Sequence, residues 1–179
     1  MELKTDLRFQ EVQRFRQIWL FAGILVLLLA ELILFGSGIH KQFIQGKPWG
    51  SKPMSDTGLI IFSIIGIGIP LLLLILFLNT RLITEVRQDG LYIKFFPFHI
   101  RYHKIELENV QEIQPLEYSP LKDYGGWGIR YGAKGKAYNV SGKEGVKIFY
   151  TNGKALLIGS QKKEDLAHAI KSWMGNNNP

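Results

Sequence analysis

Two apolar stretches decide the fold of this chain: residues 18–39 read IWLFAGILVLLLAELILFGSGI, and residues 58–78 read GLIIFSIIGIGIPLLLLILFL. At a rise of about 1.5 Å per residue, a helix of either length is close to the ~30 Å thickness of a bilayer's hydrocarbon core. The first run is also longer than the apolar region of a secretory signal peptide. The sequence therefore predicts two transmembrane helices joined by an external loop over residues 40–57.

The lysines and arginines that flank these spans predict their orientation. Four precede the first span, three lie in the connecting loop and fifteen follow the second span. Loops rich in Lys and Arg stay in the cytoplasm. We therefore expect a multi-pass plasma-membrane protein with both termini in the cytoplasm. Within residues 1–17, Val12 and Phe15 fall at helical spacing with Trp19, which predicts an interfacial lead-in to the first span.

Length and composition limit what the rest of the chain can be. The 179 residues leave room for one domain of ordinary size besides the spans. The absence of cysteine excludes disulfides, thiolate catalysis and cysteine-based zinc sites. The formal net charge is +7, but the basic residues are scattered rather than clustered, so a nucleic-acid interface is not expected.

After residue 79 the pattern changes to short β-like runs separated by turns. Residues 82–86 and 91–96 flank an Asp89-Gly90 turn and predict a hairpin. Further strand candidates follow at 99–107, 110–118, 127–131, 136–140, 146–150 and 154–159, and a helix at 162–174 places Leu166, Ile170 and Trp173 on one stripe. About seven strands and one terminal helix predict an α+β domain over residues 79–174. We expect a small antiparallel β-barrel closed by the helix, and a disordered tail at 175–179.

Two segments carry a resemblance to a known family, DYGGWGIR (123–130) and AYNVSGKEGVKIFYTNGKALLIGSQ (137–161). Together with the two spans and the closing helix, they resemble uncharacterised prokaryotic membrane proteins with a pleckstrin-homology-like domain. The resemblance implies a seven-stranded barrel with a C-terminal helix. Eukaryotic pleckstrin-homology domains often bind phosphoinositides through a long basic loop between their first two strands. Here a tight turn at 88–90 links the first two predicted strands, so no phosphoinositide site of that kind is expected.

The glycine-rich segment GGWGIRYG (125–132) is the sharpest candidate binding site. Glycines let backbone N–H groups approach an anion, and Arg130 can bind phosphate or carboxylate through two parallel hydrogen bonds. Alternatively, the same glycines form bulges and tight corners of a small barrel. The candidate ligand-binding residues are Trp127, Arg130, Tyr131, Lys134, Lys136, Tyr138 and Lys143.

Motifs for catalysis and for metal binding are not found in the sequence. None of its four Gly-Lys pairs has the spacing of a P-loop, and neither GxSxG nor HExxH occurs. His99 and His103 are four residues apart and would share one face of a strand, but no third metal ligand is evident. We therefore expect no enzymatic activity, no cofactor and no metal.

Glu31 is a carboxylic acid inside the first predicted span. An intramembrane carboxylate is costly unless it is neutral, paired or near water. Glu31 therefore marks a proton or ion path, or it is a neutral acid, or it faces the partner helix or a second protomer. In the second span, Pro70 predicts a kink near Gly66–Pro70.

These observations favour a non-enzymatic binding or assembly module at the cytoplasmic membrane surface. Its expected partners are the bilayer itself, anionic lipid headgroups, a membrane protein or a second copy of the chain. The leading contact residues are Arg130, Lys134, Lys136 and Lys143. The alternative is an oligomeric channel or transporter subunit that uses Glu31 and the Gly66–Pro70 kink.

Overall fold

The computed structural model describes residues 7–132 and 134–177, with side chains up to residue 175. The chain divides into two units. Unit 1 consists of the chain up to Arg16 and from Asn79 onward, and unit 2 consists of Gln17–Leu78.

Unit 2 contains the two apolar helices. Helix α1 spans Ile18–Ile39 and continues as a π-helical turn at His40–Ile44, and helix α2 begins at Asp56 and ends at Asn79. Both helices are long and apolar enough to cross a membrane. Most of their apolar side chains are exposed, whereas a core helix of a soluble protein would bury them. The chain stays helical through Pro70, and the kink there stays a prediction.

Within unit 2, the ring of Phe35 from α1 lies against Gly66 of α2. A Cβ atom at position 66 would come within 2.5 Å of Phe35 Cε2. Small residues at such points let apolar helices pack closely. Gly66 therefore serves a contact inside the hairpin.

Unit 1 contains nine described strands in two sheets, and two helices. The first sheet is antiparallel with the order β1-β2-β3-β4, and its strands are Leu7–Arg14, Arg81–Arg87, Gly90–Phe96 and His103–Ile105. The second sheet has the order β5-β8-β9-β7-β6. Its strands β5 to β9 are Val110–Glu117, Gly128–Gly132, Gly135–Asn139, Glu144–Tyr150 and Ala155–Gly159. Helix α3 spans Pro120–Tyr124, and helix α4 spans Lys163–Asn177.

The predicted strand-rich domain and terminal helix are present, but the predicted barrel is not. The described strands form two separate sheets, and no closed barrel is found among them. The strand expected at 99–107 is reduced to β4, because residues 97–102 form a loop. The tail prediction was also wrong in part. Helix α4 includes residues 175–177, while 178 and 179 lie outside the described residues.

The largest correction concerns the segment before the first apolar helix. Helical spacing predicted an interfacial lead-in, but residues 7–14 form β1, which pairs antiparallel with β2 up to the pair Arg14 and Arg81. The domain therefore does not begin at residue 79. The two apolar helices are inserted between adjacent strands of one sheet. The link between the first two strands is this helical hairpin, and the turn at 88–90 joins β2 to β3.

Two inward-facing polar side chains tie β1 to the segment that precedes α4. The Ser160 hydroxyl donates a hydrogen bond to Glu11 Oε2 at 2.6 Å, and the Gln161 backbone N–H donates to Glu11 Oε1 at 2.9 Å. Gln13 Nε2 donates to the Gly159 carbonyl oxygen at 2.6 Å. Because α4 begins at Lys163, the Glu11 carboxylate also lies near the positive end of that helix dipole.

One hydrophobic core joins the inward faces of both sheets to α4. It contains Leu82, Ile93 and Phe95 from the first sheet, Ile148 and Ile158 from the second, and Leu166 and Ile170 from α4. Trp173, the third member of the predicted helix stripe, is partly buried, and its indole N–H donates to the Gln88 carbonyl oxygen at 2.8 Å.

Replacing Glu11 with alanine should loosen β1 and the start of α4. The substitution leaves the Ser160 hydroxyl and the Gln161 N–H without their acceptor, which costs about 1–3 kcal/mol of local stability. Hydrogen exchange of the full chain in detergent should then be faster at residues 7–14 and 159–163. The exposed Val12→Ser change in the same strand is the control, and equal exchange in both variants would contradict the role of Glu11.

Candidate functional site

Strands β6 and β7 bring two tyrosines and a lysine to one face of the second sheet. Tyr131 is the cross-strand partner of Lys136, and Tyr138 is two residues farther along β7. Lys136 Nζ lies 5.1 Å from the ring centroid of Tyr131 and 4.6 Å from that of Tyr138, a cation–π arrangement. Burial lowers the pKa of Lys136, but hydrogen bonds with the Tyr138 and Tyr131 phenols raise it more. The side chain is therefore a stable cation.

Further lysines meet Lys136 at the end of the sheet where Gly132 and Gly135 pair. They line an open groove, here called the lysine groove, whose walls are formed by Tyr131, Lys134, Lys136, Lys147, Phe149 and Lys154. Lys147 Nζ lies 4.9 Å from the ring centroid of Phe149, and Tyr131 is 75% exposed. The groove thus combines ammonium groups with accessible aromatic rings.

One carboxylate offsets part of this positive charge. Lys134 Nζ lies 2.7 Å from Asp123 Oδ1, and this pair together with the Ser119 backbone N–H lowers the pKa of Asp123. With the residues that the structure describes, the other three lysines of the groove form no ion pair. The groove therefore presents a net positive surface that a multivalent anion could contact.

The other predicted site residues are placed differently. Arg130 Nε donates to the Trp127 carbonyl oxygen at 2.9 Å, and the Trp127 indole N–H donates to the Gly142 carbonyl oxygen at 3.4 Å. The Lys143 side chain is exposed and outside the groove. Tyr138 is buried in the core, below Lys136. The contacts of Trp127 and Arg130 with neighbouring backbone fit the alternative that this glycine-rich segment forms a corner of the fold.

Sequence reasoning missed Lys147, Phe149 and Lys154. They join the site because β7 pairs in parallel with β9, which brings the turn between β8 and β9 beside Lys136. Gly135 permits this approach, since its φ is +104° and a Cβ atom there would overlap the Ala155 carbonyl oxygen. The Gly153-Lys154 turn was the only local signal, and it has no specificity by itself.

His99 connects the loop after β3 to the same region. Its ring centroid lies 4.0 Å from that of His103 and 5.7 Å from that of Tyr138. The Phe95 N–H donates to His99 Nδ1 at 3.3 Å, so the ring is neutral in this arrangement. Burial, with the nearby charges of His103 and Lys136, lowers the pKa of His99. Among the described residues, no group of three or more acidic or histidine side chains could hold a metal ion.

Glu31 lies in α1 and is partly buried. Its Oε2 atom is buried and has no hydrogen-bond partner among the described residues. A neutral acid or a partner from outside this chain would satisfy that oxygen.

A family model matches residues 1–176, which include β1, both apolar helices and nearly all of α4. The chain belongs to DUF6141. This is a family of unknown function. Comparisons with curated proteins and with solved structures found no match. Because the DUF6141 match runs through both units, the inserted helices and the strands around them belong to one family architecture.

Unit 1 of this DUF6141 protein should lose stability as the pH falls below about 6.5, the ordinary pKa of histidine. Because the pKa of His99 is lowered in the folded state, the unfolded chain takes up the proton first. Protons therefore favour unfolding between the two pKa values, and the loss is complete below the folded one. Thermal unfolding in detergent, followed by tryptophan fluorescence, should show this slope between about pH 7 and 5.

The His99→Asn variant should flatten that slope, because the amide oxygen can accept from the Phe95 N–H without titrating. His168→Asn, at an exposed position on α4, should keep it. A wild-type slope in His99→Asn would show that another group is responsible.

Proposed function

We propose that this protein holds a pleckstrin-homology-like binding domain at the cytoplasmic face of the plasma membrane, through a two-helix anchor. The pairing of β1 with β2 carries the proposal. Because Arg14 and Arg81 are cross-strand partners, the chain leaves and re-enters unit 1 at neighbouring positions. Two membrane spans joined by a short loop bring the chain back to the side of the membrane on which it started. The anchor can therefore return the chain to the position that strand pairing requires.

Two further observations support the orientation and the fold in this proposal. The flanks of the apolar helices carry more Lys and Arg than the connecting loop, which favours both termini in the cytoplasm. A strand-rich domain with a C-terminal helix agrees with part of what the resemblance implies, although the nine described strands lie in two sheets instead of one seven-stranded barrel. In this proposal, the hairpin of apolar helices lies between the first two strands, where eukaryotic pleckstrin-homology domains often have a long basic loop. We therefore place the proposed anion site elsewhere on the domain.

The lysine groove is the proposed anion site, and its proposed ligand is the phosphate of an anionic lipid. Lys136, Lys147 and Lys154 supply the charge, and each well-placed lysine contributes about 1 kcal/mol at an anionic surface. Tyr131 and Phe149 supply apolar contact area beside the charges. The proposed role is binding, not catalysis. An acidic segment of a membrane protein is the other ligand that this chemistry fits.

Charge reversal in the groove should reduce the affinity for anionic lipid. The variant Lys136→Glu, Lys147→Glu, Lys154→Glu should bind phosphatidylglycerol at least about tenfold more weakly than the wild type, since three lysine contacts are lost. Native mass spectrometry of the detergent-purified full chain, titrated with phosphatidylglycerol or phosphatidylcholine, measures both affinities. Circular dichroism checks that the variant is folded.

A control with the same charge change is available outside the groove, at three exposed lysines: Lys143→Glu, Lys162→Glu, Lys171→Glu. This control should retain the preference for phosphatidylglycerol. Equal losses of phosphatidylglycerol affinity in both triple variants would show that the effect comes from the net charge of the protein and not from the groove. A wild-type protein without preference for phosphatidylglycerol would contradict lipid binding by the groove.

A second proposal, an oligomeric channel or transporter subunit, is favoured by the buried Oε2 atom of Glu31, which has no hydrogen-bond partner among the described residues. If Glu31 carries protons, Glu31→Gln should reduce proton flux in reconstituted liposomes to the level of empty liposomes. A pH-sensitive dye inside the liposomes reports the flux, and Ser37→Ala in the same helix is the control. Absence of flux in the wild type would end this proposal.

A further inference from the structure

The loop at residues 97–102, between β3 and β4, exposes apolar side chains. Ile100 is 83% exposed and Phe98 is 62% exposed, whereas the core of unit 1 buries Ile93 and Phe95 of the preceding strand. Arg101 follows directly and is also exposed. Isolated exposed apolar residues are common on protein surfaces, so the geometry and the position of this loop must decide whether it has a role.

The loop is held so that its apolar side chains face outward. His99 lies between them in sequence, but its side chain points inward. The backbone N–H of His99 donates to the Phe95 carbonyl oxygen at 2.7 Å, and the ring atom Nδ1 of His99 accepts from the Phe95 backbone N–H. At the other end of the loop, the Tyr102 hydroxyl donates to Glu85 Oε1 at 2.8 Å. The fold thus presents Phe98 and Ile100 on a loop that hydrogen bonds hold at both ends. Because the loop is already ordered, it loses little conformational entropy on binding.

The first sheet places this loop at the end of unit 1 that continues into the apolar helices. Arg14, Arg81 and Phe96 are successive cross-strand partners in β1, β2 and β3. Helix α1 begins four residues after Arg14, at most about 14 Å along the chain, and α2 ends two residues before Arg81, at most about 7 Å away. The loop starts directly after Phe96, so it shares this end of the first sheet.

The chain segments at this end carry charge of one sign, and the Glu85 carboxylate that Tyr102 contacts is paired with Arg87. The segments that meet there, residues 14–17, 79–82 and 94–102, contain no Asp or Glu and five basic residues, namely Arg14, Arg16, Arg81, Lys94 and Arg101. Anionic lipid attracts such a surface, and an arginine between apolar side chains can bind phosphate while its neighbours enter the acyl boundary. The titratable neighbours of the inward-pointing His99 are His103, Lys136 and Tyr138.

We propose that the 97–102 loop is a membrane-insertion element, in which Phe98 and Ile100 enter the interfacial layer of the bilayer and Arg101 binds lipid phosphate. The inference rests on the proposed membrane anchor and deepens it, since it states which end of unit 1 faces lipid. A short loop binds lipid weakly by itself. The anchor supplies a roughly millimolar or higher effective concentration, so weak contacts are sufficient to orient the domain.

The experiment uses the full chain in liposomes of phosphatidylcholine and phosphatidylglycerol that contain spin-labelled lipid. The chain has no cysteine, so single Ile100→Cys, Gln88→Cys and Leu72→Cys variants each carry one NBD fluorophore. Gln88 lies in the turn at the opposite end of β2 and β3, about 20 Å along seven-residue strands. Leu72 lies in α2 and is exposed.

We expect the probe at position 100 to lose about half or more of its fluorescence to a shallow spin label, because an interfacial side chain lies about 5–10 Å into the headgroup boundary. The probe at 88 should lose little, and the probe at 72 should be quenched by a deep label. Quenching at 72 but not at 100 would overturn the loop inference and leave the anchor intact. Absence of quenching at 72 would contradict the anchor itself.

Two further variants separate lipid contact from other coverings of the loop. In the Ile100→Cys protein, Arg101→Glu should reduce quenching in liposomes that contain phosphatidylglycerol. Arg8→Glu is the control, because Arg8 is an exposed residue of β1 outside the loop, and this change should leave the quenching unaltered. If the probe is shielded from aqueous iodide yet not quenched by spin-labelled lipid, a protein surface covers the loop, and insertion into the bilayer is wrong.

Discussion

The pairing of β1 with β2 is the constraint on which the rest of the structure depends. These strands are neighbours in the sheet, although both apolar helices separate them in the chain. Closing a connection of that length costs entropy. A helical hairpin lowers the cost because it returns the chain to its starting point. Strand pairing in turn holds the two ends together, so the insertion and the sheet stabilise each other.

Buried polar side chains explain why this strand is hidden in the sequence. In residues 7–14 the inward positions include Glu11 and Gln13, so the apolar alternation that identifies a half-buried strand is absent. Gly159, Ser160 and Gln161 supply hydrogen-bond partners for both Glu11 oxygens and for Gln13 Nε2, which lowers the cost of burial, whereas Gln13 Oε1 has no partner among the described residues. The partners lie about 150 residues away in the chain, and no local pattern reveals such a contact.

The candidate site was predictable in part, and the division follows strand topology. Tyr131, Lys134 and Lys136 are close in sequence and lie in one hairpin, so a local reading finds them together. Lys147 and Lys154 reach the lysine groove only through the order β8-β9-β7, which includes a parallel pair. The local glycine content also predicted Trp127 and Arg130 as ligand-binding residues. Their described side-chain hydrogen bonds are made with neighbouring backbone carbonyl groups instead.

The sequence alone determined the features whose physical signals are local. Length and hydropathy identified the two apolar helices, the Asp89-Gly90 turn identified the hairpin of β2 and β3, and a helical stripe identified α4. Only the tertiary structure decided that the hairpin of apolar helices interrupts the first sheet and that the strands form two sheets. It also decided which lysines meet in the lysine groove. These features depend on long-range backbone pairing. The N–H and C=O groups that pair are the same in all residues except proline, so the partner of a strand cannot be read from its own side chains alone.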